Sequence, residues 1–144
     1  MSSRILVVDP HTGIADLLRV TLEVEGYEVE TASSTVDTML QMERCEFSLA
    51  LVNLSLPDGD GLRLLRLLKG KDPSLEVIMM TGSMTGSGKV VEATEQGAFH
   101  FLFKPFDLEE MLTLVGKALE RRRFVAENSD LRRKLAELER QGCG

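Results

Sequence analysis

A doubly wound α/β fold, a parallel sheet with helices on both faces, is the architecture this chain predicts. Three observations carry that expectation. Short apolar runs of β type alternate five times with stretches whose apolar residues fall at helical spacing. Four of those runs end in polar residues, Asp9, Asn53, Thr81 and Lys104, and in such sheets the working residues gather at the carboxyl ends of the strands. The chain has 144 residues, 43% hydrophobic and 28% charged, which suits one soluble domain with a sizeable core.

The elements follow in order. Ile5 to Val8 is a four-residue run read as a buried strand. From Thr12 to Glu25 the apolar Ile14, Leu17, Leu18 and Leu22 recur at helical spacing, and Gly26 ends that helix. Tyr27 to Ala32 alternates as an edge strand. Ser34 caps a helix through about Arg44, with Val36, Met39 and Leu40 expected to point inward. Phe47 to Asn53 is the third strand, and Pro57 to Gly61 is a turn cluster. A leucine-rich helix covers Leu62 to Gly70, and a fourth strand covers Glu76 to Thr81. Ser87 to Gln96 is helical and closes at Gly97. Phe99 to Phe103 is the fifth strand. Asp107 then caps a last helix that reaches about Gln141.

Charge is distributed unevenly. Residues 1–120 carry 10 Lys+Arg against 19 Asp+Glu, and residues 121–144 carry 7 against 4. An acidic body argues against nucleic-acid binding by the globular part. Cys45 and Cys143 form no metal or disulfide pattern, which fits a reducing cytoplasm. No signal peptide or membrane span is expected. Ser83 to Val90 follows a strand and precedes a helix like a phosphate loop, but Gly is missing at 83 and Ser or Thr at 90. Asp58 and Asp60 read as turn residues rather than cation ligands. His11 and His100 have no partner at ligand or triad spacing. Ser55, beside the strand end, has no evident base to activate it.

The motifs Arg4-Ile5-Leu6-Val7-Val8-Asp9, Leu56-Pro57-Asp58-Gly59-Asp60-Gly61, Met80-Thr81-Gly82, Gly97-Ala98 and Lys104-Pro105-Phe106 cover residues 4 to about 122. In order and spacing the chain resembles the receiver domain of bacterial two-component response regulators. The resemblance implies a flavodoxin-like (βα)5 sheet of order 2-1-3-4-5, for which a chemotaxis receiver is a standard example. It also implies a cis peptide at Lys104-Pro105, phosphoryl contacts from Thr81 and Lys104, and a switch aromatic at Phe101. The last helix and its Arg/Glu/Leu-rich continuation are further similar to receivers of the NtrC-like class, which precede an ATPase domain that activates sigma-54 polymerase.

Two departures sit in the chemistry itself. The phosphoacceptor position holds Asn53, whose delocalised amide is a poor nucleophile where an aspartate would form an acyl phosphate. The second acid after strand one is Pro10, which offers no side-chain donor to magnesium. Asp9 and Lys104 alone leave a pocket near neutrality, in which both Asp9 and Asn53 can accept hydrogen bonds from the lysine. The resemblance with these changes implies a receiver-like domain over 1–120 that is not an enzyme and binds magnesium weakly or not at all. It would act by protein contact, in the cytoplasm, in transcription regulation. Two other readings fit the same residues: a conventional receiver carrying an Asp-to-Asn change, and a small-ligand binder using the vacated pocket.

Residues 121–144 form a helical extension. Phe124, Asn128, Leu131, Leu135 and Leu138 step by 4, 3, 4 and 3, a heptad seam with Asn at one a position. This predicts a coiled-coil linker to an output domain or a homodimer seam. The competing expectation is a tail lying on its own domain.

Overall fold

The structure is a computed structural model, and it describes residues 3–82 and 87–142. The residues at 83–86 in the loop that resembles a phosphate loop, and Cys143, lie outside the described residues. Five parallel strands form one sheet: β1 (Arg4–Val8), β2 (Glu28–Ala32), β3 (Leu49–Asn53), β6 (Glu76–Thr81) and β7 (His100–Phe103). Their order across the sheet is β2-β1-β3-β6-β7, the doubly wound order expected. A second, two-stranded piece, β4 (Ser55–Leu56) and β5 (Gly59–Asp60), folds the turn cluster into a small antiparallel hairpin.

The three central strands are buried on both faces, which is why they read as unbroken apolar runs. Successive side chains serve opposite faces of the sheet. Ile5, Val7, Leu49, Leu51, Ile78, Met80 and Leu102 pack under α1 (Thr12–Val24) and α5 (Leu108–Gly142). Leu6, Val8, Ala50, Val52, Val77, Met79 and Phe101 pack under α3 (Gly61–Lys71) and α4 (Ser87–Glu95), with Met39 and Met42 of α2 (Thr35–Arg44) beside them. Edge strand β2 turns Glu28 and Glu30 to solvent, a charged border that discourages pairing with another sheet.

Glycine ends two helices in the same way. Gly26 and Gly97 have φ of 95° and 99°. At the first, Gly26 N–H donates to Glu23 O and Tyr27 N–H to Leu22 O. At the second, Gly97 N–H donates to Thr94 O and Ala98 N–H to Ala93 O. These paired bonds satisfy the last carbonyls of α1 and α4 and require the left-handed backbone that glycine adopts without strain.

Helix α2 corrects one expectation. Val36 and Leu40 are exposed, while Thr38 is fully buried and Met39 half-buried. Thr38 tolerates burial because its hydroxyl donates to Ser34 O. The inward stripe is therefore rotated from the one that apolarity alone suggests. Leu17 of α1 is likewise exposed, and Ala15 takes an inward position beside Leu18 and Leu22. The third strand starts at Leu49, with Phe47 buried ahead of it.

Turn chemistry places Asp58 and Asp60. Asp60 caps α3, accepting from Leu62 N–H at 2.7 Å. Asp58 accepts from Thr35 N–H at 2.8 Å and Val36 N–H at 3.0 Å, so the hairpin loop caps α2 from outside. Those two amides, Thr35 first, hold its carboxyl below the usual 3.8.

Candidate functional site

Asp9 follows directly on β1, and its N–H donates to Ala32 O, which continues the ladder one residue past the strand. This delivers its side chain to the carboxyl end of the sheet, 1% exposed. One carboxylate oxygen accepts from Lys104 Nζ at 2.7 Å. The other accepts from the His11 N–H at 2.9 Å and lies 3.0 Å from His11 Nδ1. His11 thus has a partner after all, one that its spacing two residues beyond Asp9 did not reveal. His100 has a local role: its Nδ1 accepts from Phe101 N–H at 2.9 Å.

Asn53 is the last residue of β3 and is 5% exposed. Its two ends are used differently. Oδ1 accepts from Lys104 Nζ at 2.9 Å, and Nδ2 donates to Ser55 O at 2.7 Å. The second bond is one that only an amide makes. An aspartate there would set a carboxylate oxygen against a carbonyl oxygen, with no proton between them. Ser55 enters the site through its main chain, while its residue is exposed on β4.

The main chain at Asn53 is held closely. Gly61 opens α3 directly against it, and a Cβ on Gly61 would come within 2.5 Å of Asn53 O and 2.8 Å of Leu54 Cα. Only glycine fits there. Leu54 N–H donates to Met80 O and Gly61 N–H to Leu54 O, both at 2.7 Å.

Lys104 reaches the pocket from the loop after β7, across a cis Lys104-Pro105 peptide. Its N–H donates to Thr81 O at 2.7 Å, joining the ends of β6 and β7. Thr81 closes β6 and is 6% exposed. Pro10 lies half-buried between Asp9 and His11 and supplies no polar side-chain atom. Phe101, three residues before the lysine, is buried in the α3–α4 core and stacks on Phe103, ring centroids 5.4 Å apart.

The pocket therefore unites Asp9, Asn53, Ser55 and Lys104 as a closed hydrogen-bond network with one anion and one cation. A hard divalent cation takes six or more oxygen ligands and favours carboxylates. Asp9 is the one carboxylate in this network, and its two oxygens are taken by Lys104 and His11. The donor set does not suit magnesium.

Helix α5 carries the second candidate surface. Met111, Leu114, Val115 and Ala118 bury its first half against the sheet. The helix continues unbroken to Gly142, a rod of roughly 52 Å at 1.5 Å per residue. Phe124, Leu131, Leu135 and Leu138 are each more than half exposed, and Asn128 is exposed with them. The described side chains from Glu127 to Glu139 are all exposed. Where it leaves the sheet, Arg121 pairs with Glu76 Oε2 at 2.5 Å and sits 4.6 Å over the Phe99 ring. That contact was not foreseen, because Glu76 reads in sequence as the polar start of a strand. No helix among the described residues is long and apolar enough to cross a membrane.

Comparisons with known proteins agree with this geometry. The family model described as the response regulator receiver domain matches residues 5–116. The C4-dicarboxylate transport transcriptional regulatory protein DctD of Pseudomonas aeruginosa is 35% identical over 142 residues, which are 94% of this chain and 29% of that protein. The DNA-binding transcriptional regulator NtrC of a Bradyrhizobium strain is 35% identical over 115 residues, 80% of this chain and 24% of the regulator. The chain thus spans under a third of the length of these relatives. A crystal structure of a receiver domain protein from Methanospirillum hungatei superposes with a TM-score of 0.82 at 32% identity, covering 85% of this chain and 98% of that one. The sheet order, the pocket and these matches lead to one conclusion: the chain belongs to the response regulator receiver domain family, with relatives among the NtrC-like transcriptional regulators.

Proposed function

We propose that this receiver signals by protein contact without aspartyl phosphorylation, as a non-enzymatic part of a cytoplasmic transcription regulator. The observation that carries the proposal is the Asn53 amide, bonded at one end to Lys104 and at the other to Ser55 O. The residue has neither the nucleophilic oxygen nor the negative charge that acyl phosphate chemistry needs. Lys104 Nζ donates to both Asp9 and Asn53, which supports the reading. The regulators that this chain is similar to support transcription as the output.

Incubation with acetyl phosphate and magnesium, followed by intact mass, tests this. The expected mass is unchanged, and a stoichiometric base-labile phosphate adduct overturns the reading. Asn53→Asp alone restores magnesium affinity poorly, and adding Pro10→Asp restores it better, because the metal then gains a second new carboxylate.

The same reading assigns α5 beyond Arg121 to self-association of two copies through Phe124, Asn128, Leu131, Leu135 and Leu138. Apolar side chains exposed along one heptad stripe support it. Light scattering on the full chain and on a chain ending at Arg121 measures it: the first is a weak dimer, the second a folded monomer. Asn128→Leu tightens the dimer and loosens its register, since a buried Asn pair fixes register at a cost in stability.

A further inference from the structure

The chain has 2 histidines, and their ring contacts are of opposite kind. His11 Nδ1 lies 3.0 Å from a carboxylate oxygen of Asp9. His100 Nδ1 lies 2.9 Å from the Phe101 main-chain nitrogen. A carboxylate accepts and a backbone N–H donates, so the two contacts fix opposite tautomers. In the neutral ring of His11, Nδ1 carries the proton and Nε2 keeps a free lone pair. In that of His100, the amide takes the Nδ1 lone pair and Nε2 carries the proton.

Asp9 is built to hold a ring. Its side chain is closed off from water, and its other oxygen accepts from Lys104 Nζ at 2.7 Å. The oxygen that faces the ring also accepts from the His11 N–H at 2.9 Å. The carboxylate is thus fixed from two sides and orients the imidazole, the relation in which a third group activates a nucleophile. The His11 side chain is 67% exposed, so a reagent in solvent reaches it. His11 also opens α1, a helix with no side-chain cap and no acidic residue in its first turn. A Cβ on Gly13 would meet nothing within 4 Å. The amides that follow His11 therefore have open space and no competing anion from their own turn, a setting that favours negative charge.

We propose that His11 Nε2 accepts a phosphoryl group from donors of the phosphoramidate class, with Asp9 as a positioning residue. Nε2 attacks phosphorus with its lone pair. The new N–P bond forms as the donor's N–P bond breaks, and the amine leaves with that electron pair and is protonated by solvent. One N–P bond replaces another. The ring becomes a cation whose Nδ1–H still faces the Asp9 carboxylate, and that charge stabilises it. The proposal goes beyond signalling without aspartyl phosphorylation, because the group sits on nitrogen and Asn53 takes no part.

The probe is phosphoramidate itself, added to the full chain at mildly alkaline pH without magnesium. Intact mass should show one added phosphoryl group, lost in acid and stable in base. His11→Gln should abolish it, and His100→Gln should keep it. Asp9→Asn should slow its formation roughly tenfold or more, as loss of the correct tautomer does elsewhere. Nitrogen NMR should show the His11 ring proton moving in part to Nε2 in that variant, with His100 unchanged, and circular dichroism checks that each variant is folded. No adduct on the native chain, or one that persists in His11→Gln, overturns the proposal. An undiminished rate in Asp9→Asn overturns the role of Asp9. A base-labile adduct instead overturns the reading without aspartyl phosphorylation, so the two failures are told apart.

Discussion

Each end of the sheet holds a buried carboxylate paired with a cation, and the two pairs are built differently. At the carboxyl ends of the strands, the Asp9 side chain has no exposure and that of Lys104 has 16%. At the amino ends, the Glu76 side chain is 7% exposed but that of Arg121 is 47%. The Glu76 pair is the shorter, 2.5 Å against 2.7 Å. Distance does not rank them. A pair with one partner half in water is screened and loses little when broken, whereas a pair closed off from water leaves an uncompensated charge. The Asp9–Lys104 pair is a structural keystone of the pocket, and the Glu76–Arg121 pair steers the base of a helix.

Lys104→Met should show the largest effect. It strips the cation from Asp9 and from Asn53 together, and should cost about 3 kcal/mol of stability. The cost is no larger because His11 keeps its contacts to Asp9. Urea unfolding at neutral pH measures it, and a cost no larger than that of Glu76→Gln would erase the contrast between the two ends.

Asn53→Asp should come next, at about 1–2 kcal/mol. It loses the bond to Ser55 O and places a second carboxylate on the same lysine. Like charges raise the pKa of such a pair, so the penalty is full at neutral pH and shrinks as acidification protonates one of them. Unfolding at pH 7 and at pH 4.5 should show the gap to the native chain narrowing. A gap that widens in acid would count against this account.

Glu76→Gln should cost less than about 1 kcal/mol, given the exposure of Arg121. Its signature should be local: amide hydrogen exchange speeds up around Arg121 while the pocket end of β6 stays protected. A global loss of protection would mean that this end, too, is a keystone.

Asp58→Asn should be the smallest change, and it adds a pH sign. The carboxyl of Asp58 is lowered by the Thr35 and Val36 amides. Its contribution is therefore present above the unfolded value of 3.8 and is lost as pH falls through the lower folded value. The native chain should lose more stability than Asp58→Asn on acidification through that window, as thermal melts would show.

Much of this was legible in the sequence. The central strands announced themselves because burial on both faces forces unbroken apolar runs, and the glycines after α1 and α4 marked left-handed closures. Asp9, Asn53 and Lys104 were recognisable because each ends or directly follows a strand. What stayed hidden is what depends on contact between distant segments. Thr38 points inward while Val36 and Leu40 do not, because the hydroxyl finds a carbonyl one turn back. Asp58 caps a helix that precedes it by more than twenty residues. His11 is tied to Asp9 by the way the chain bends at Pro10. Glu76 and Arg121 lie 45 positions apart, and no periodicity links them.

Helix α5 is also a mechanical arm. From the Glu76 contact to Gly142 it extends roughly 32 Å at 1.5 Å per residue. A tilt of about 10° at that fulcrum sweeps the far end through roughly 5 Å, the height of one helical turn. A protein that leans on the globular body thus needs only a small push to displace whatever the tip carries by a full side-chain repeat.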